Sequence, residues 1–401
     1  MQDCRRVLCL DGLMHEANRV QINYFVSGDS TDVTTWSGFP FYLGKALEEK
    51  GVTLNRINMF PDPWVYNFYS RGFGYWGRFK KRWLNQTANR NFYQSDTLAF
   101  FSALKICVAS SKFRNADCNL FLSYSLSSHM FSKIPLAHYC DQTYGQAFAR
   151  IGDPLTHRQQ QIVHQQRVLL SKSRAVFATM PATVNHLRDE WKLGNVYPKF
   201  LTGINLDVVR PPVSELLACK RASNVILFIG RGVWGRGADI LVEAFRLFNA
   251  RHQHHFVLHM VGVDETDFST PVNERSIVFH KYLRKNNVAE WETYLSLLMS
   301  ARAFVFPARS EMLAFAMLEA LYMGTPVIAT DVPGVRDLVQ DRQNGLVLGT
   351  CTPEAVAAAL DELIDNPAWW EKAVQGAYAS AERFSWTRVA DELVGVMAQF
   401  Q

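Results

Sequence analysis

Two stretches in the second half of the chain carry residue types suited to holding a charged ligand. The first reads Ile229-Gly230-Arg231-Gly232-Val233-Trp234-Gly235-Arg236-Gly237 and leads into the apolar-periodic segment 238–249. Glycines let backbone N–H groups come close to an anion, and a helix N-terminus adds a favourable dipole. Arg231 and Arg236 add two forked cations matched to phosphate oxygens. Gly230, Gly232 and Gly235 also fit the dinucleotide pattern G-x-G-x-x-G, but that pattern wants an acidic residue about 20 positions on, and Asp264 lies beyond that point. A P-loop needs Gly-Lys-Ser/Thr, whereas this chain has Gly-Arg-Gly. A plain tight turn would leave both arginines without a purpose. A diphosphate cradle is the best reading of the loop.

The second stretch runs from Pro307 through Glu311 and Glu319 to Gly324-Thr325-Pro326-Val327-Ile328-Ala329. The spacing predicts a helix over 313–323, with Glu311 where it begins and the free N–H groups of Leu313, Ala314 and Phe315 turned into the same cleft. Glu319 falls eight residues after Glu311, about two turns at 3.6 residues per turn, and so below it on one face. Its neighbours Ala316, Met317, Leu318, Ala320 and Leu321 are apolar, and a carboxylate buried among them needs a partner such as a pair of hydroxyls.

The elements that must position these loops are short. Val7–Leu10, 53–59, 120–123 and 135–140 read as strands in the first half, with a helix over 39–50. In the second half 224–229, 256–261, 277–279, 303–306 and 326–329 read as strands, and 238–249, 290–300 and 313–323 as helices. Buried apolar strands alternating with amphipathic helices imply an α/β protein with two doubly wound parallel sheets. In such sheets ligands sit beyond the carboxyl ends of the strands. The stretch 203–214, with its Pro211-Pro212, is the expected linker between domains at 1–204 and 205–384.

With these motifs in hand, residues 224–390 resemble the retaining GT-B glycosyltransferases of family 4. Those proteins carry Glu-x7-Glu in the setting Ser-x-x-Glu-Gly-Phe-Gly, followed by Gly-x-Pro-Val-Ile-Ala, and open the second domain with Gly-Arg-x-x-x-x-Lys-Gly. Here the equivalents are Glu311 and Glu319, Gly324–Ala329 and Gly230–Gly237, with Asp331-Val332-Pro333-Gly334, Asn344-Gly345-Leu346 and Arg383-Phe384-Ser385-Trp386 further on. The resemblance implies a GT-B architecture facing a central cleft and hexosyl transfer from a nucleotide-diphospho-sugar. It implies that Arg231 and Arg236 hold the diphosphate, Glu311 the sugar hydroxyls and Glu319 the ribose hydroxyls. The amides of Leu313, Ala314 and Phe315 would approach the phosphate and sugar, and the base would lie over Lys281–Leu283, around Tyr282. Arg236 stands where the family usually has lysine, and Met312 and Ala314 replace its glycines, so the sugar pocket is reshaped. A C-terminal helix at about 385–401 is expected to pack back onto the first domain.

The first half matches the family loosely. Thr35-Trp36-Ser37-Gly38-Phe39-Pro40 looks like the glycine loop that faces the donor, placing Gly38 against the diphosphate. Asp141 ends a strand where the family commonly has histidine, and there it would orient an acceptor hydroxyl or stabilise positive charge on the sugar; His138 reads as a packed strand residue. The acceptor is expected to be a glycan, a lipid-linked compound or a small molecule. Residues 64–93 hold eleven aromatics, six Lys+Arg and no acid, a composition suited to an anionic membrane surface or to the acceptor. A nucleic-acid platform is disfavoured by the donor motifs.

Composition sets the outer bounds. The chain has 401 residues, 48% apolar and 20% charged, which suits two domains and excludes disordered, collagenous and disulfide-scaffold classes. Net charge is +10 over residues 1–206 and −5 over 207–401, two surfaces for different partners. Seven cysteines at irregular spacings fit free thiols in the cytoplasm. No apolar run approaches the ~20 residues of a spanning helix, and the N-terminus reads as a strand rather than a signal peptide. Arg251-His252-Gln253-His254-His255 sits in a helix-to-strand turn and reads as a solvated loop, and no Asp-x-Asp occurs, so no metal and no cofactor are expected. Two alternatives to sugar transfer stay open: a NAD-dependent oxidoreductase using Gly230–Gly235, and a non-catalytic glycan- or membrane-binding GT-B protein.

Overall fold

Runs such as Val-Ile-Leu-Phe-Ile and Ala-Phe-Val-Phe have no polar face to offer water, so they form strands covered on both sides. The computed structural model describes residues 20–60, 96–124, 133–150, 154–270 and 272–400. Two parallel six-stranded sheets appear among them. The first joins β1 (Gln21–Val26), β2 (Thr53–Asn58), β3 (Cys118–Phe121), β4 (Leu136–Cys140), β5 (Ala175–Ala178) and β6 (Val196–Phe200) in the order β2-β1-β3-β4-β5-β6. The second joins β7 (Val225–Ile229), β8 (Val257–Val261), β9 (Ile277–His280), β10 (Ala303–Phe306), β11 (Val327–Thr330) and β12 (Gly345–Leu348) in the order β12-β11-β10-β7-β8-β9. Parallel neighbours need crossovers, which helices such as Ala238–Arg251 and Val288–Ser300 supply. The α/β architecture expected from the sequence, two doubly wound sheets, is the one observed.

The order of the second sheet decides where a ligand can sit. The chain runs from β7 outward to β9, then returns to the other side of β7 to lay down β10, β11 and β12. The switch point therefore lies between β7 and β10, and the loops leaving those two strands open onto one crevice. Gly237 makes their approach possible: it adopts φ +70°, and a Cβ there would stand 1.8 Å from the Pro307 carbonyl oxygen. The same loops are stitched together by Arg309, whose backbone N–H donates to Gly235 O at 3.1 Å while its guanidinium grips both Asp239 oxygens at 2.8 Å.

The Val7–Leu10 strand and the aromatic-basic segment 64–93 lie outside the described residues. Strand β1 itself was not anticipated, because Gln21 and Asn23 make it look half polar. Asn23 is nevertheless fully buried. Asn55 on β2 donates to its side-chain oxygen at 2.8 Å, and its own NH2 donates to Asn119 on β3 at 2.8 Å, a cross-strand amide ladder in register. Strand β3 also starts and ends two residues earlier than the 120–123 expected.

The chain's last helix, Trp386–Met397, lies on the first sheet's side of the molecule. Its Trp386, Val389, Ala390, Leu393 and Met397 are buried in one cluster with Phe39, Leu43 and Leu47 of the helix Phe39–Glu49. The connecting strand of chain is fixed by Asn205, which is fully buried. Its NH2 donates to Ser37 O at 2.9 Å, its side-chain oxygen accepts from Trp386 Nε1 at 2.9 Å, and its backbone oxygen accepts from Lys285 at 2.7 Å. One residue thus ties the loop before the first helix, the final helix and the second sheet together.

Candidate functional site

A half-open cleft lies at the β7/β10 switch point, lined by both polar and apolar side chains. Most of the residues singled out from the sequence meet there: Arg231, Arg236, Tyr282, Glu311, Leu313, Ala314, Phe315 and Glu319 all line it. Ser37 lines it rather than its neighbour Gly38, which is buried behind with φ +93°. Trp36 and Ser37 also hold positive φ, 49° and 59°, so this loop is a run of left-handed residues pressed against the cleft. Asp141 is not among the lining residues.

The helix expected from residue 313 begins at Phe315 and ends at Tyr322, and Ala314 before it is extended (φ −92°, ψ 100°). Glu311 therefore stands in the loop and not on the helix face above Glu319. The reason is local: the Met312 N–H bonds back to Glu311 Oε1 at 2.8 Å and holds the segment out of helical geometry. The helix has no side-chain cap, and Met317 N already bonds Ala314 O. Phe315 and Ala316 therefore open the first turn, and Ala316 joins the expected Leu313, Ala314 and Phe315 in lining the cleft. The positive end of this turn opens on the cleft between the two glutamates.

Each glutamate has a cationic partner. Glu311, on the β10 loop, forms an ion pair with Arg236 from the β7 loop. Burial pulls the Arg236 guanidinium below its ordinary pKa, and the like charges of Arg150 and Arg231 pull the same way. Glu319 is 1% exposed and bonds Lys285 at 2.6 Å and the Tyr294 hydroxyl. Burial pushes the Tyr294 hydroxyl well above the ordinary phenol range, and the Glu319 charge adds to it. The partner that the sequence reading sought for Glu319 is thus supplied by the chain, with Lys285 also reaching Asn205 O. Lys285, Tyr294 and Ser37 were missed from the sequence. The Arg284-Lys285 pair after a strand was the available signal for the lysine.

Arg231 lies over the Tyr282 ring, its guanidinium carbon 5.3 Å from the centroid. Tyr282 remains 43% exposed, so its ring offers an open face beside that cation. On the first sheet's side, Asp141 follows β4, and its backbone oxygen accepts from Thr183. Burial raises the Asp141 carboxyl above its usual range, opposed by hydrogen bonding from the Cys140 thiol and by the charge of Arg150. His138 packs in its strand, its ring 5.3 Å from Phe121 and its Nδ1 2.8 Å from Ser173 Oγ.

The turn after the helix Ala238–Arg251 is the solvated loop expected, with Arg251, Gln253, His254 and His255 exposed and His252 half-buried. His252 packs its ring against Phe248 and Phe256. Its Nε2 meets Asp361 at 3.1 Å and Asp365 at 3.8 Å, the one group of potential metal-ligand atoms among the described residues. Arg251 also pairs with Asp361 at 2.6 Å, and the group sits at the amino ends of the strands, away from the cleft.

Comparison with known proteins places these features. Residues 217–383 match the family model described as "Glycosyl transferases group 1". A D-inositol 3-phosphate glycosyltransferase of Xylanimonas cellulosilytica is 27% identical over 218 residues, 49% of this chain and 50% of that protein. The chain thus spans about half the length of the curated relatives it matches. Among solved structures, sucrose-phosphate synthase from Thermosynechococcus elongatus superposes with a TM-score of 0.66 at 18% identity, covering 95% of this chain and 99% of that one. Anabaena HepE, solved in complex with UDP and glucose, gives 0.63 at 12% identity, covering 94% and 99%. The fold is the GT-B architecture. Among the described residues no helix is long and apolar enough to cross a membrane.

Proposed function

We propose that this protein is a glycosyltransferase that moves a hexosyl group, with retention of configuration, from a nucleotide-diphospho-sugar to a hydroxyl of a glycan, lipid-linked or small-molecule acceptor. The observation that carries the reading is the convergence at one switch point of Arg231, Arg236, Glu311, Glu319 and the uncapped start of the helix Phe315–Tyr322. Relatives named as glycosyltransferases and a fold neighbour solved with UDP and glucose support it.

In this reading the diphosphate lies across Arg231, Arg236 and the free amides of Phe315 and Ala316. Charge develops on the leaving nucleoside diphosphate as the glycosidic bond breaks, and preorganised donors in a partly dry cleft stabilise it. Arg236 must turn from Glu311 to the phosphate, which frees Glu311 for the sugar hydroxyls. Glu319, held by Lys285, presents its carboxylate to the ribose, and the open Tyr282 ring flanks the base. Neutralisation by arginine needs no metal. The donor phosphate oxygen takes the acceptor proton on the face it leaves, and Asp141 orients the acceptor. The aromatic-basic segment 64–93 would serve the acceptor or an anionic membrane surface at the inner face.

A nicotinamide site is not favoured, because Asp264 is committed to its own turn, accepting from Thr266 N–H at 3.2 Å. A panel of nucleotide sugars and NAD, read by thermal shift and by release of nucleoside diphosphate, tests the proposal. A rise in Tm with one nucleotide sugar and its turnover are expected; stabilisation by NAD alone would overturn the assignment.

A further inference from the structure

The order of the first sheet leaves β6 at its edge, and a second pocket opens there. It is lined by Val184 of the helix Pro181–Asn185, by Lys199, Phe200 and Leu201 at the end of β6, and by Arg383 and Arg388 beside the chain's last helix. It shares no lining residue with the cleft at the β7/β10 switch point.

The charges in this pocket do not balance. Lys199 pairs with Glu392 at 2.6 Å, and the Tyr197 hydroxyl donates to the same carboxylate, so these three satisfy one another. Two guanidinium groups are left over. Arg388 is exposed, and its side chain has no ion-pair or hydrogen-bond partner among the described residues. Arg383 reaches across to the second half of the molecule, where its Nη2 donates to Asp337 O at 2.7 Å, while its Nε is buried without a partner. Burial pulls the Arg383 guanidinium below its ordinary pKa; the Asp337 carboxylate opposes that, and the like charge of Arg388 adds to it. Two cations beside one partly dry pocket cost free energy unless an anion comes to them.

The remaining lining says what carries the anion. Val184 and Leu201 are buried and Phe200 is half-buried, so the cations stand next to apolar surface that a bare inorganic ion would leave uncovered. Two forked cations match the oxygens of a phosphate dianion in charge and in shape, whereas a carboxylate would offset only one of them. We infer that this pocket is a second anion site, separate from the sugar-transfer cleft, which takes a phosphate monoester carried on a small apolar group. Because Arg383 is tied to Asp337 O, a ligand there touches the chain where its two halves join.

The test is calorimetric titration of the full chain with phenyl phosphate, against inorganic phosphate and benzoate. Phenyl phosphate should bind about tenfold more tightly than either. Arg388→Met should raise its Kd about tenfold and Arg388→Lys by less, whereas Arg231→Met, in the cleft, should leave it within about twofold. Arg388 is exposed, so its replacements keep the fold, and an unshifted Tm checks this. Equal affinity for inorganic phosphate would overturn the apolar half of the assignment, and equal affinity for benzoate the phosphate half. Loss of binding in Arg231→Met with none in Arg388→Met would put the anion in the cleft and overturn the site, as would a wild-type chain that does not bind phenyl phosphate.

Discussion

Arg236 and Glu311 form an ion pair across the switch point, so each is engaged until a ligand competes. Glu311→Ala removes that competitor. Nucleoside diphosphate should then bind as tightly as before or more so, while transfer falls by about 10² or more, the size seen when one transition-state partner is deleted. Calorimetry and a turnover assay check both halves; unchanged turnover would remove Glu311 from the chemistry. Lys220 offers a second prediction at this scale. Fully buried, it caps the end of the helix Val288–Ser300 by donating to the carbonyls of Leu298 at 2.9 Å, Met299 at 3.1 Å and Ala301 at 3.2 Å, and to Thr325 Oγ1 at 2.7 Å. Burial lowers its pKa from 10.5 to about 7. The unfolded chain therefore holds a proton that the folded one releases between those values, so the Lys220 contribution is greatest above pH 10.5 and is lost as pH falls towards 7. Compared with Lys220→Met in denaturant titrations, the wild type should gain up to about 4 kcal/mol between pH 7 and 10. A flat difference would show that the buried amine stays charged.

The loops and helices show why some of this was readable beforehand. Glycines and arginines after an apolar run, and two acids in an apolar helix context, are local signals, and they led to the correct strand ends. Helix starts were less legible: Met312, Leu313 and Ala314 are good helix formers, yet the Glu311 side chain and the extended Ala314 delay the first turn to Phe315. The partners of the acids were invisible, because Arg236 lies 75 residues from Glu311 and Lys285 34 from Glu319, distances that only the strand order closes. Asn23 hid a strand in the same way, since its two amide partners sit on other strands. The β7 turn yields a prediction at this scale. Gly237→Ala forces a Cβ against Pro307 O at positive φ. It should destabilise the fold by about 2 kcal/mol or more and, by moving Arg236, weaken nucleoside diphosphate binding. Equal Tm and affinity would show that the loop pair can part without penalty.

At the scale of the whole molecule, Asn205 joins three parts of the two halves. Asn205→Ala leaves the Trp386 indole N–H buried without a partner and frees Ser37 O, an expected loss of about 2–4 kcal/mol. Because the loss falls on the junction, the denaturant transition should broaden or split as the two halves lose their coupling. Tryptophan fluorescence against far-UV circular dichroism checks this; coincident, unshifted curves would show that the junction does not bind the halves together. Ser37 was illegible beforehand for the same reason that Asn205 was: the two meet across the junction between the sheets.

The seating of Trp386–Met397 over Leu43 and Leu47 has an implication for biosynthesis. As the polypeptide leaves the ribosome, the helix Phe39–Glu49 emerges long before the segment that shields it has been translated. Its greasy side must wait, bare or chaperoned, until Trp386–Met397 has been made. Deleting residues 386–397 would therefore damage a much older part of the nascent chain more than the elements translated just before them.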